Sequence, residues 1–267
     1  MSAGDHAGLV YKEIKGINEF KKDDLIIIIM GGTGAGKSTF VNTLLGEDRV
    51  KVGYGLRSCT NEIERVDVPS FTRRPQGRGC RLALIDTPGF DATDKDDLQI
   101  LYRIAACVKD IYINKEVLGG IIYLHDISDD RLSAAAHTHL SLLKNFCGVT
   151  ALKNVVLGTT KWSKVTEGRG LEREKELKER YWGPLIAMGS TVEKFDGKRE
   201  SASRIVENIL DRIGSPGIVL DIQRELVEEK KDVSETGAGT TLKREGLDKV
   251  KKEKEGLFRR IRRFFGI

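Results

Sequence analysis

The sequence predicts an α/β fold: a doubly wound, mostly parallel sheet with helices on both faces, followed by a C-terminal helical extension. Three observations support this prediction. Short apolar runs that suit buried strands alternate along the chain with segments of helical periodicity. The first apolar run leads directly into a glycine-rich loop and a helix. At 267 residues, the chain is long enough for one domain with a sizeable core and an appendage.

The first strand and the loop after it carry the clearest motif. Residues 25–29 form an apolar run that suits a buried strand, and residues 31–39 read GGTGAGKST, which matches the phosphate-loop pattern G-x-x-x-x-G-K-[ST]. Glycines let backbone N–H groups approach a polyphosphate, and the helix N-terminus adds partial positive charge. We therefore predict nucleoside triphosphate binding. The residues expected to hold it are Gly32, Thr33, Gly34, Ala35, Gly36, Lys37, Ser38 and Thr39.

A second strand, at residues 82–85, ends in the sequence DTPG, which begins at Asp86. In an NTPase of this kind, the carboxylate at such a strand end steadies Mg²⁺. Gly89 can offer its backbone N–H to the γ-phosphate because glycine allows a close approach. We expect Ser38, Thr60 and Asp86 to hold the metal. Loops of this type order around the γ-phosphate and relax when it leaves, which makes a switch.

The remaining elements continue the alternation. The predicted strands cover residues 62–68, 119–127, 152–160 and 188–195, and the predicted helices cover residues 96–113, 131–146, 172–180 and 201–213. The strand at residues 62–68 alternates polar and apolar residues, as expected at a sheet edge. In an open α/β sheet the ligand lies at the carboxyl ends of the strands, and both motifs are at such ends.

The chain divides by composition into five segments. Residues 1–22 form a polar, flexible leader, and residues 23–215 form the nucleotide-binding domain. Residues 216–233 contain a short apolar stripe that predicts a helix packed back on that domain. Residues 234–241, with the sequence SETGAGTT, are predicted to be a flexible linker. Residues 242–267 end in a basic amphipathic helix.

The amphipathic helix contains the whole charge excess of the chain. Residues 251–267 carry seven Lys and Arg against two Glu, which accounts for the net charge of +5. Residues 257–267 place apolar residues on one face and four arginines on the other. This pattern suits an anionic membrane surface, and it equally suits docking on the domain or on a second copy. We expect no nucleic-acid partner, since two phenylalanines would add nothing to phosphate contacts.

Targeting signals and metal clusters are not evident in the sequence. The first twenty residues lack the apolar core of a secretory signal. The four cysteines are scattered without a C-x-x-C pair, which indicates reduced thiols and no zinc site. His137 and His139 are predicted to be surface residues rather than metal ligands. We therefore expect a cytoplasmic protein, peripheral at a membrane if the C-terminal helix binds one.

The segments GGTGAGKST, SCTNEI and DTPGF resemble the P-loop GTPases related to translation factors, among them the septin and Toc types. Within that class they are most similar to the AIG/GIMAP-like branch and its fungal G-domain relatives. The resemblance covers roughly residues 23–213. It implies a G domain that binds GTP and Mg²⁺. It also implies slow intrinsic hydrolysis and pairing of two copies through their nucleotide faces.

The base-recognition motif departs from the pattern of the family. Where G domains carry Asn-Lys-x-Asp, this chain has Thr160-Lys161-Trp162-Ser163. Lys161 can pack along a purine, but the hydroxyl of Ser163 cannot make the charge-assisted contact of the usual aspartate. We expect guanine, with adenine as the alternative, and Trp162 either stacks on the base or fills the core. Thr160 and Lys161 are predicted to contact the base, and so, by position alone, are Gly189 and Ser190.

The catalytic group is the second feature in which this chain departs from the usual G-domain pattern. A glutamine that orients the attacking water follows DxxG in Ras-like enzymes, but Phe90 follows Gly89 here. The candidate catalytic residues are Lys37, Thr60 and Gly89, with Arg57 and Arg131 as arginines that could act in cis or in trans. Two functions remain open: a Mg²⁺-dependent GTPase switch activated by pairing, and a GTP-dependent membrane or oligomeric scaffold with negligible turnover. A small-molecule kinase is disfavoured because DTPG suits a γ-phosphate sensor.

Overall fold

A computed structural model of the chain describes residues 24–52, 62–69, 81–90, 94–130, 134–214 and 217–244. The predicted leader and residues 245–267, with the predicted membrane-binding face, lie outside these ranges. Arg57, Thr60 and Arg131 also lie outside them. Within the described ranges, no helix is long and apolar enough to cross a lipid bilayer.

One six-stranded sheet forms the centre of the fold. Its strands are β1 (Asp24–Gly31), β2 (Glu64–Val68), β3 (Arg81–Asp86), β4 (Val117–Asp126), β5 (Val155–Thr160) and β6 (Thr191–Lys194). They lie in the order β2-β3-β1-β4-β5-β6. Only the β2–β3 pair is antiparallel, and the four other pairs are parallel. The mostly parallel sheet and the edge position of β2 are therefore confirmed.

Helices cover both faces of the sheet. They are α1 (Lys37–Leu45), α2 (Asp94–Ile113), α3 (Ala134–Cys147), α4 (Glu167–Glu176), α5 (Gly183–Ala187), α6 (Arg199–Arg212) and α7 (Asp221–Val227). Side chains of β1 alternate between two apolar cores, because successive residues of a strand point to opposite faces. Ile27 and Ile29 pack with α1 and α6, whereas Ile26 and Ile28 pack with α2, α3, α5 and α7. The doubly wound arrangement is confirmed.

The predicted helices overlap the observed ones, with ends that differ by up to five residues, the largest difference being at the start of α4. The exception is α5, which the sequence analysis missed. This helix is only five residues long and has a proline in its first turn. It follows a π-helical turn at Leu177–Tyr181 that continues α4. Its Leu185 is buried, and so is Trp182 just before it, so this short element contributes to the core.

The segment after α6 packs on α2 and α3. The buried side chains Ile222 and Leu226 of α7 join the core that contains these two helices. Gln223 Nε2 donates to the carbonyl oxygen of Val108 on α2 at 2.7 Å. Tyr102 on α2 donates to Asp232 Oδ1 at 2.5 Å. The extension is thus attached to the domain by apolar packing and by hydrogen bonds.

The prediction of a flexible linker at residues 234–241 is wrong. A 3₁₀ turn at Val233–Glu235 is followed by a helical segment at residues 237–244. Ala238 and Leu242 are buried one helical turn apart. Asn145 Nδ2 on α3 donates to Thr241 Oγ1 at 2.7 Å. Burial of this small apolar face on α3 overrides the weak helix propensity of the glycines and threonines.

Charged side chains gather at the amino edge of the sheet. The carboxylate of Asp24 is fully buried and accepts hydrogen bonds from Arg65 at 2.6 Å and from Arg81 at 2.9 Å. Glu116, just before β4, lies close enough to Arg65 and Asp24 for both charges to act on it. Burial is nevertheless the largest influence, and it raises the pKa of Glu116 to about 7.

Glu116 should make the stability of the protein depend on pH. Its pKa in the folded state lies above the ordinary value of 4.5, so the folded chain binds the proton more tightly than the unfolded chain. The stability from this group is present below about pH 4.5 and is lost as the pH rises through about 7. We expect Glu116→Gln to gain stability relative to the wild type between pH 5 and pH 8. Urea unfolding of both proteins across this range measures the difference.

The control is Glu172→Gln, which changes an exposed glutamate on α4. Its stability relative to the wild type should not vary over the same pH range. A pH-independent difference for Glu116→Gln would contradict the assignment of a half-buried carboxylate with a raised pKa at this position.

Candidate functional site

The glycine-rich loop lies between β1 and α1 at the carboxyl edge of the sheet. Gly34 and Gly36 have φ values of 77° and 92°, a left-handed conformation that glycine adopts without steric cost. The side chain of Lys37 folds back over the loop, where Nζ donates to the carbonyl oxygens of Gly31 at 3.1 Å and Gly32 at 2.9 Å. The lysine ammonium is therefore held at the mouth of the loop, as the phosphate-loop motif predicts.

The segment after β3 lies directly on this loop. Thr33 N donates to Phe90 O at 3.0 Å, Phe90 N donates to Gly31 O at 3.3 Å, and Thr33 Oγ1 donates to Gly89 O at 3.2 Å. A Cβ atom on Gly89 would lie 2.5 Å from the Cα of Thr33. Only glycine fits such an approach, so the structure brings the two phosphate-facing motifs into direct contact.

A hydroxyl and a carboxylate meet beneath the loop. Ser38 Oγ donates to Asp86 Oδ2 at 2.7 Å. Burial raises the pKa of Asp86 to about 6, although the hydrogen bond from Ser38 and the charge of Lys37 act in the opposite direction. Among the described residues, no hydrogen-bond donor reaches the buried Oδ1 of Asp86.

These two side chains fit a magnesium ion. Mg²⁺ takes oxygen ligands, and it is usually held by one or two protein side chains together with substrate phosphates and water. A free carboxylate oxygen and a neighbouring hydroxyl supply that set. No cluster of three or more His, Cys, Asp or Glu suited to a metal occurs in the described ranges, so a metal here would depend on the phosphates as well.

The end of β5 forms the opposite side of the loop. Thr160 Oγ1 donates to Ala35 O at 2.8 Å, which attaches the base-recognition motif to the phosphate loop. Lys161 has a φ of 57°, uncommon for a residue with a side chain, and its Nζ lies 2.6 Å from Asp126 Oδ2 at the end of β4. Burial acts to raise the pKa of Asp126, but this ion pair and the hydrogen bonds from Ser128 outweigh it and lower the pKa. Lys161 is thus fixed beside the phosphate loop.

Trp162 is part of the core. Its indole is almost fully buried, and Nε1 donates to Thr159 Oγ1 at 3.0 Å. A Cβ atom on Gly170 would lie 2.5 Å from the indole ring, so α4 packs tightly against it. Of the two roles left open by the sequence, the structure supports core packing. Ser163, where the aspartate was expected, is exposed.

The assignment of Gly189 and Ser190 to the base site is wrong. Both residues precede β6 and therefore lie at the amino edge of the sheet, opposite the phosphate loop. Ser190 Oγ donates to Leu152 O, just before β5, at 2.9 Å. The loop at the carboxyl end of β6, residues 195–198, is the one that lies beside the end of β5, since Phe195 N donates to Thr159 O at 2.9 Å.

That loop supplies a carboxylate that the sequence analysis did not consider. Asp196 is exposed, and it accepts hydrogen bonds from Lys198 N at 3.0 Å and Ser201 Oγ at 2.6 Å. The bond from Ser201 keeps the pKa of Asp196 below its usual range, so the side chain is ionised. The signal was available, because polar residues directly after a parallel strand face the ligand edge.

The prediction that His139 is a surface residue is also wrong. His139 is 5% exposed on α3, and its Nε2 lies 3.1 Å from Oδ2 of Asp97 on α2. Its ring contacts that of Phe90, with the ring centroids 5.3 Å apart. His137, by contrast, is exposed as predicted.

The chain is similar in sequence to a known protein family and to several known proteins. The model of the AIG1 family matches residues 25–175, which is more than half of the chain. The chain belongs to the AIG1 family. This AIG1-family chain is 27% identical over 145 residues to Translocase of chloroplast 90 of Arabidopsis thaliana, and 34% identical over 90 residues to GTPase Der of Caldicellulosiruptor saccharolyticus. The matches cover 54% and 32% of this chain, but only 17% and 18% of these relatives.

Solved structures show the same fold. Toc33 from Arabidopsis thaliana, in complex with GDP and Mg²⁺, superposes with a TM-score of 0.51 at 17% identity over 78% of this chain and 91% of Toc33. A structure of chloroplast translocon components, for which dimerization is described as important for GTPase activity, gives a TM-score of 0.53 at 16% identity. It covers 82% of this chain and 94% of that one. The P-loop G-domain fold of this AIG1-family member is thereby confirmed. Its closeness to fungal proteins stays a prediction.

Proposed function

We propose that this chain binds GTP with Mg²⁺ and hydrolyses it to GDP, slowly as a single copy and faster when two copies pair across their nucleotide faces. The observation that carries this proposal is the direct contact between the DTPG segment and the phosphate loop, with Ser38 and Asp86 joined beneath them. A γ-phosphate bound on the loop would lie beside Gly89. The family membership and the Toc33 complex with GDP and Mg²⁺ support the choice of ligand.

The residues of the chain act by positioning and by charge. Lys37, whose ammonium lies at the mouth of the loop, would turn from the carbonyls of Gly31 and Gly32 to the β- and γ-phosphates. The backbone N–H groups of the loop would bind the phosphate oxygens. Ser38 and Asp86 would hold Mg²⁺, which neutralises the charge on the phosphates, and Thr60 stays the predicted third ligand.

The missing glutamine explains why we propose slow hydrolysis by one copy. Phe90 is 2% exposed and its ring packs on His139, so it cannot orient an attacking water. Faster hydrolysis then requires that a group from elsewhere orient the water or stabilise the transition state. Arg57 and Arg131 are the predicted candidates, acting in cis or from a second copy. The chloroplast translocon structure, where dimerization is tied to GTPase activity, favours the second copy.

The same buried Phe90 favours a second candidate function, a GTP-dependent scaffold with negligible turnover. In that case GTP binding would drive oligomerisation or membrane association through residues 257–267. Location in the cytoplasm, peripheral at a membrane, belongs to this proposal as well. The two functions differ in one measurable quantity, the turnover of GTP by paired copies.

Turnover measured against protein concentration tests the proposal. We expect the specific activity with GTP and Mg²⁺ to rise with protein concentration, because the paired form contains the complete catalytic set. ATP, run in parallel, should be hydrolysed more slowly. Removal of Mg²⁺ with a chelator should reduce turnover to background, since the phosphate charge is then unneutralised.

Each outcome of this experiment decides between the candidates. Tight GTP binding with near-zero turnover at every concentration would support the scaffold instead. A preference for ATP would overturn the choice of guanine and leave the phosphate site intact. Absence of nucleotide binding would overturn both functions.

A further inference from the structure

One buried polar pair lies outside the nucleotide site and contacts Phe90, which borders that site. His139 on α3 and Asp97 on α2 are 5% and 3% exposed, and their side chains meet at 3.1 Å. The imidazole packs on the ring of Phe90, with the ring planes inclined by 38°. Phe90 is the residue that follows Gly89 and bonds the phosphate loop through its backbone.

Phe90 therefore joins two parts of the molecule. Its backbone forms a bridge to Gly32 and hydrogen bonds to Gly31 and Thr33 of the phosphate loop. Its side chain is enclosed in the core with α2 and α3. Any movement of the Gly89–Phe90 segment when a γ-phosphate binds or leaves must displace the ring, because packed cores respond by discrete rearrangement rather than by smooth deformation.

Packing alone does not account for a histidine and an aspartate at this place. Burying a polar pair carries a desolvation cost, and an apolar pair of similar volume is often as stable or more stable. The pair does, however, favour one orientation of the imidazole, since the hydrogen bond between His139 Nε2 and Asp97 Oδ2 is directional. An oriented imidazole in turn fixes the position of the Phe90 ring between two helices.

We propose that His139 and Asp97 are positioning residues that link the γ-phosphate-sensing segment Gly89–Phe90 to α2 and α3. The inference rests on the proposed function, because it presupposes that the site distinguishes GTP from GDP. In the GTP-bound state the pair holds Phe90 in the position that presents Gly89 to the phosphate. Loss of γ-phosphate releases Phe90, and the change reaches both helices through the imidazole.

The test compares the affinities of a non-hydrolysable GTP analogue and of GDP. His139→Gln keeps one hydrogen bond to Asp97 but removes the ring, and Asp97→Asn keeps the shape but removes the charge. We expect each variant to reduce the preference for the GTP analogue over GDP by about fivefold or more, within the usual range of coupling between sites. The double variant should lose no more than the more affected single variant, because both act through one contact.

Asn145→Ala is the matched control. Asn145 lies on the same helix and its side chain bonds Thr241, away from Phe90. This variant should lower the melting temperature without changing the ratio of the two affinities. If His139 and Asp97 contributed to stability alone, His139→Gln and Asp97→Asn would also lower the melting temperature without changing the affinity ratio.

Amide hydrogen exchange supplies a second readout. In the wild type, exchange in α2 and α3 should differ between the GTP-analogue and GDP complexes, and in His139→Gln the difference in α3 should disappear. Unchanged affinity ratios in both variants, with an unchanged exchange difference in His139→Gln, would overturn the positioning role and leave the proposed function intact. Failure of both variants to fold would assign the pair to core stability and would also overturn it. If the wild type binds neither nucleotide, the proposed function fails instead.

Discussion

Gly89→Ala should abolish the discrimination between GTP and GDP. The added methyl carbon would lie 2.5 Å from the Cα and 2.6 Å from the backbone nitrogen of Thr33. These are backbone atoms of the phosphate loop and cannot rotate away, so the Gly89–Phe90 segment must leave the loop. We expect the affinity for a GTP analogue to fall at least about tenfold more than the affinity for GDP, which corresponds to about 1.4 kcal/mol of lost γ-phosphate contact. Titration calorimetry with both nucleotides measures this difference.

A second glycine provides the control for this substitution. Gly168 lies in the first turn of α4, and no atom lies within 4 Å of the position that its Cβ would occupy. Gly168→Ala should leave both affinities unchanged. An unaltered ratio of affinities in Gly89→Ala would show that the DTPG segment does not sense the γ-phosphate.

The phosphate half of the site was predictable because its signals are local. A glycine-rich loop between a strand and a helix has one common structure, and the order of Lys37 and Ser38 fixes which side chain lies near the phosphates. Asp86 was predictable for a similar reason, since it directly ends a buried strand. The structure adds the long-range contacts, such as Thr33 with Phe90, which no local pattern specifies.

The base side was harder because it depends on the bounds of a short strand. β6 has only four residues. A small error in its predicted bounds therefore assigns a flanking residue to the wrong edge of the sheet. Gly189 and Ser190 were assigned to the wrong edge for this reason. The parallel pairing of Thr159 with Lys194 places the base side after Lys194, not before Thr191.

Two further predictions were wrong, although the sequence contained patterns that indicate the observed structure. His139 lies seven residues before the buried Phe146, on the stripe of α3 that also contains Leu142 and Leu143, so helical periodicity indicates a buried position. At the start of the supposed linker, Ser234 N donates to Asp232 Oδ1 at 2.9 Å, and the N–H of Asp232, two residues before the linker, donates to Glu235 Oε2 at 3.1 Å. This capping pattern of an aspartate followed three residues later by a glutamate indicates the start of a helical turn, whatever the glycine content.

Ser163→Asp should increase the selectivity for guanine. Ser163 is exposed in the 3₁₀ turn after Lys161, so an added carboxylate disturbs no packing. If the base lies along Lys161, the new carboxylate accepts the N1 and N2 donors of guanine, and adenine presents no matching donors. Hydrogen bonds to a charged group contribute about 1.5–3 kcal/mol each. We therefore expect the ratio of GTP to ATP affinity to rise by at least about tenfold, as measured by competition with a labelled guanine nucleotide.

Ser163→Asn separates charge from shape in this experiment. Asparagine has nearly the same volume as aspartate, but a neutral amide accepts more weakly and adds a donor that faces the guanine donors. Its gain in selectivity should be smaller than that of Ser163→Asp. Inosine triphosphate, which lacks the 2-amino group, should gain less from the aspartate than GTP does. Equal nucleotide ratios in wild type and Ser163→Asp would mean that the base does not lie beside residue 163, and the carboxylate of Asp196 would become the group to replace next.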